Sequence, residues 1–66
     1  MATMPYMGES TGAENANLYL RGVEEGRAGQ MLDETEILEI LDVFGVDGLR
    51  SYIVGHLEGV TDIMED

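Results

Sequence analysis

Apolar and charged side chains recur at helical spacing through the second half of this chain. From Glu34 to Phe44, the residues Ile37, Leu38, Ile40, Leu41 and Phe44 share one face of a helical wheel. Glu36, Glu39 and Asp42 occupy the other, which is the signature of an amphipathic helix. Asp33 stands at the N-cap position with Glu36 three residues on, and acids in the first turn suit the positive end of the helix dipole. Gly45 follows at once, where a C-cap glycine belongs. After the short linker Gly45-Val46, Asp47 is predicted to cap a third helix. Its apolar face would be Leu49, Tyr52, Ile53, His56, Leu57, Val60, Ile63 and Met64, with Glu58, Asp62 and Glu65 opposite. Gly55 and Gly59 border that face at a spacing that permits close helix contact.

The pattern before residue 33 is weaker. Thr11 and Glu14 have capping-box spacing, and Ala16, Tyr19, Leu20, Val23 and Met31 then fall within one arc. Gly22, Gly26 and Gly29 each cost a helix about 1 kcal/mol relative to alanine, and Arg27 interrupts the apolar arc. A β-hairpin pairing Leu18–Val23 with Arg27–Leu32 across a Glu-Glu-Gly turn is the alternative. If the segment is helical, its glycines mark where a second helix comes close. Residues 1–11, with Pro5 and no apolar period, read as a flexible N-terminal arm. Met4, Tyr6 and Met7 would be its adhesive positions. The fold expectation is therefore all-α: a small three-helix unit over 12–66 with a loose arm.

Length makes that unit precarious. A chain of 66 residues buries only about 60% of the surface that its unfolded form exposes, so small domains lean on disulfides, metals or oligomerisation. There is no cysteine, and His56 is the one histidine, so neither a disulfide nor a nitrogen-and-sulfur zinc site can be built within one chain. A homo-oligomer, such as a dimer, is the remaining support. No cofactor is expected.

Charge then sets the partner class. Fourteen Asp and Glu face three arginines and no lysine, for a formal net charge of −11. Four of the acids lie in residues 1–32 beside Arg21 and Arg27, and ten lie in residues 33–66 beside Arg50 alone. Such a field repels nucleic acid and anionic lipid and attracts basic protein surfaces. No apolar run approaches the roughly 20 residues needed to cross a bilayer, and MATMPYMGES carries no secretory pattern. The expected location is the cytoplasm, or the host cytoplasm for a viral protein.

Two carboxylate rows are the candidate partner-binding residues: Glu36, Glu39 and Asp42 on one helix, and Glu58, Asp62 and Glu65 on the next. Neighbours within such a row stand about 5–6 Å apart. They read either as a solvated face or, with no lysine to balance them, as a docking edge for a cationic partner. The arginines read as intramolecular clamps, with Glu34 one candidate partner for Arg27, and His56 as a packed side chain holding one hydrogen bond. No nucleophile elbow or EF-hand spacing occurs, and so small a body leaves scarcely any pocket for catalysis.

The expectation is a non-enzymatic acidic protein that binds a basic surface of a larger protein, for example a nucleic-acid-binding one, and inhibits or modulates it. Mimicry of nucleic-acid charge, as in phage-made inhibitors of host defence, is one form of this; the likeness is of size and charge only. The alternative is a structural or assembly subunit of a virion or multiprotein complex, joined through its apolar helix faces.

Overall fold

The computed structural model describes residues 11–65. The arm expected over 1–11 lies outside them except for Thr11, which caps the first helix. The described residues are all-helical, in two elements, α1 (Gly12–Arg27) and α2 (Glu34–Met64). The hairpin alternative for the first element is thereby overturned. The capping box that starts α1 is complete: the Glu14 amide donates to Thr11 Oγ1 at 3.1 Å, and the Thr11 amide donates to Glu14 Oε1 at 2.9 Å.

Two helices stand where three were expected. The predicted linker Gly45-Val46 and the cap at Asp47 do not form, because α2 is interrupted at Gly45 alone. That residue has φ 77° and ψ −172°, a region open in practice only to glycine. The interruption is a reversal. Tyr52 donates to Glu36 at 3.0 Å across sixteen residues, a span of about 24 Å in a straight helix. A proximal limb, 34–44, therefore runs back along a distal limb, 46–64.

The distal limb lies beside α1 in a parallel sense. Gly22 faces Tyr52 and His56, Gly26 faces His56 and Val60, and Gly59 faces Val23. A Cβ on Gly22, Gly26, Gly55 or Gly59 would fall closer than 3.0 Å to backbone of the opposite helix. These two pairs, each spaced by four residues, thus let the main chains touch, as small residues do in tightly packed helix pairs. On α1 the buried positions are Leu18, Gly22 and Gly26, not the predicted arc, and Leu20 and Met31 are exposed.

The apolar core is correspondingly small. Among the described residues, Leu18, Ile40 and Tyr52 are the buried hydrophobics, with Phe44, Leu49 and Ile53 packed against them. His56 is also buried and lies 2.6 Å, through Nε2, from the Gln30 carbonyl, which ties the connecting loop to the distal limb. This matches the expected single hydrogen bond.

Candidate interaction surface

Two features of the fold have chemical content: a polar clasp inside and an aliphatic face outside. The clasp is centred on Tyr52, which is 0% exposed. Its hydroxyl lies within hydrogen-bond reach of carboxylates from both neighbouring segments, Glu25 of α1 and Glu36 of the proximal limb. Its single proton serves one of them at a time. Arg21 pairs with Glu36 and, at 3.5 Å, with Glu25, and its guanidinium sits 5.9 Å from the centre of the Tyr52 ring.

Burial, and then the two carboxylates, push the Tyr52 hydroxyl well above its ordinary range. For Glu25, burial alone would lift the carboxyl. The hydrogen bonds it accepts from Tyr52 and Arg21 outweigh it and hold Glu25 below the usual carboxylate range. Burial likewise works against the charge on Arg21, and the two glutamates overcome it. One tyrosine thus ties together all three helical segments.

The clasp absorbs a residue that sequence reasoning assigned to a partner. Glu36 leads the expected proximal acid row, yet it turns inward to Tyr52 and Arg21. Asp33 is the N-cap as expected, but its side chain accepts from the Thr35 amide and Glu36, turned inward, is not its reciprocal partner. In the distal row, Asp62 accepts from Arg27 at 2.8 Å, so the clamp expected between Arg27 and an acid is made with Asp62 and not with Glu34. Glu39, Asp42, Glu58 and Glu65 are exposed and make no ion pair among the described residues. The six candidates therefore divide into two with internal partners and four that face solvent. The described residues hold no cluster of His, Asp and Glu able to bind a metal ion.

The aliphatic face lies on the other side of the distal limb. On a helical wheel the residues turned to α1, Gly48, Tyr52, Gly55 and Gly59, centre about 150° away from Val46, Ile53, Leu57, Val60 and Met64. Val46 is 54% exposed, Leu57 58% and Met64 75%. Three separate shallow hollows lie along this face. One is between Val46, Leu49, Arg50, Ile53 and Val54, and one between Val54, Leu57, Glu58 and Thr61. The third is where Met31 and Leu32 of the connecting loop approach His56, Leu57, Val60 and Ile63.

The predicted apolar face, Leu49 to Met64, thus divides in the structure. Tyr52 and His56 go inside, while Leu57, Ile63 and Met64 stay out. The signal for this division was present in the glycines, which mark the inner side of the helix through the lack of a side chain. No described helix is long and apolar enough to cross a membrane. Compared with protein-family models, with curated proteins and with solved structures, the chain matches none.

Proposed function

We propose that this protein is a non-enzymatic assembly module that binds another polypeptide through the outer aliphatic face of the distal limb. α1 and the two limbs act as three short rods braced by the clasp. The reading rests on one observation: exposed Val46, Leu57 and Met64, with the half-buried Ile53 and Val60 between them, form a stripe along the helix face turned away from α1. A chain with so few buried apolar side chains gains little by leaving that stripe in water, and contiguous exposed apolar surface marks contact sites. The exposed acids keep such a surface from joining indiscriminately. The lack of cysteine suits a reducing compartment such as a cytoplasm.

A second reading is favoured by the solvent-facing carboxylates. Glu39, Asp42, Glu58 and Glu65, with Glu36 and Asp62 behind them, would dock on a basic protein surface and block it. The readings part on one experiment. The full chain is immobilised in a native lysate and partners are captured at low and high salt, with Leu57→Glu and a Glu39→Gln/Asp42→Asn/Glu58→Gln triple variant in parallel. The assembly reading expects capture that survives about 1 M salt, where exposed charges are screened beyond about 3 Å, and that Leu57→Glu abolishes. Capture lost with salt and with the triple variant, but kept by Leu57→Glu, would overturn it in favour of the second.

A further inference from the structure

We propose that the outer face of the distal limb joins two copies of this chain, their distal limbs side by side and running in opposite directions. The inference builds on the assembly reading and names its occupant. The positions along the stripe are Val46, Arg50, Ile53, Leu57, Val60 and Met64. Their intervals are four, three, four, three and four residues, the alternation of coiled-coil core positions. That series reads the same from either end. A two-fold axis level with residue 55 sets Val46 against Met64, Arg50 against Val60 and Ile53 against Leu57, each pair twice. Self-complementarity of this kind is what an isologous contact requires.

Charge supports the same arrangement. Arg50 is exposed and makes no ion pair among the described residues, unlike Arg21 and Arg27. On the wheel it leans to the edge that carries Glu58. Antiparallel pairing brings Glu58 of the second copy to that edge, displaced about 3 Å along the axis from the level of Arg50. Two symmetry-related Arg50–Glu58 pairs then flank the axis. Asp47 and Glu65 approach one another at the two ends, where water screens them. A second copy is also the one partner present whenever the chain is made, which matters for a body with three buried hydrophobic side chains among its described residues.

The salt dependence follows. Each copy carries a net charge of −11, so long-range repulsion opposes pairing, and exposed Arg–Glu pairs offset little of it. Screening therefore strengthens the dimer, with a dissociation constant expected to be about tenfold lower at 1 M salt than at low salt. Sedimentation of the full chain across a concentration series at both ionic strengths measures this.

The direction of pairing is read by disulfide trapping, which is clean because the chain has no cysteine of its own. Equal amounts of Val46→Cys and Met64→Cys proteins, mixed and mildly oxidised, should form the mixed 46–64 disulfide in preference to either symmetric one. Symmetric disulfides in excess would overturn the antiparallel arrangement. Leu57→Glu should be monomeric with unchanged helix content by circular dichroism, because Leu57 takes no part in the monomer core. A wild-type chain that stays monomeric at both salts overturns this inference. The assembly reading then stands if Leu57→Glu still loses its captured partner, and falls with it if capture is unchanged.

Discussion

The two limbs of α2 bury themselves by opposite means. The proximal limb follows the ordinary rule along its inner line: Ile40 points inward and is almost fully covered, Phe44 packs beside it, and the acids Glu39 and Asp42 face water, while Leu38, expected on the same face, is 57% exposed. The distal limb inverts that rule. Its inner side is largely glycine, and it reaches α1 through main-chain contact at Gly55 and Gly59, while Val46, Leu57 and Met64 remain outside. The limbs differ little in how apolar they are. They differ in where the small residues fall, and so the comparison shows that a missing side chain can orient a helix as firmly as a large one.

The largest test of that contrast enlarges a glycine. Gly55→Leu forces a side chain into the Tyr19 carbonyl, and main chain cannot yield as a side-chain tip can. The cost should reach the upper end of the overpacking range, about 3 kcal/mol or more. For a domain this small that is a large part of its total stability. Chemical denaturation should find the variant largely unfolded without added salt. A folded protein of wild-type stability would refute the main-chain contact.

Ile40→Ala tests the proximal limb by the opposite operation. Removing this core side chain should cost about 2–4 kcal/mol, read as a lower denaturation midpoint with helices still present at low temperature. Tyr52→Phe keeps the ring and removes the hydroxyl that both carboxylates share. The expected loss is about 1–3 kcal/mol, from acceptors left short of a donor.

The smallest effect is the dependence on pH. Glu25 has a lowered folded-state pKa, so its contribution is present above its unfolded value near 4.5 and is lost as pH falls through the folded one. Tyr52 has a raised pKa, so its contribution is complete below its unfolded value near 10 and declines as pH rises above it. Melting temperature followed across pH should fall at both ends. In Tyr52→Phe the alkaline decline should vanish and the acid decline should shrink. An alkaline limb that persists in that variant would locate the titration elsewhere.

Legibility from sequence followed the same divide. In the proximal limb Ile40 and Phe44 were readable from aliphatic periodicity while Leu38 of the same face is exposed, and Gly45 was readable as a break because positive φ favours glycine. The all-α class and the capping box at Thr11 and Glu14 were also within reach. The inner face of α1 was not: a wheel scored by hydrophobicity gives Gly22 and Gly26 no weight and fills the arc with Leu20 and Met31. The distal limb is ambiguous for the same reason: seven apolar residues and His56 keep phase along one face, and hydrophobicity alone does not say which of them lie inside.

The candidate acids show a different limit. Glu36 and Asp62 look like Glu39 and Glu58 in sequence. Only the fold brings Tyr52 and Arg21 to the first and Arg27 to the second. Long-range pairing of this sort leaves no local pattern to read. The spacing of Val46, Ile53, Leu57, Val60 and Met64 was visible throughout, but it acquires a meaning only once the glycines claim the opposite side.

The shared direction of α1 and the distal limb has an electrical consequence. Peptide dipoles add along each helix, about half a unit charge at either end, and here the two carboxyl ends lie together near Arg27 and Asp62. The shorter proximal limb, pointing the other way, cancels only part of the sum. The molecule is thus a small bar with a negative pole, and Asp62 and Glu65 deepen that pole while Arg27 partly neutralises it. A neighbour laid alongside head to tail would cancel the moment, and one laid head to head would double it.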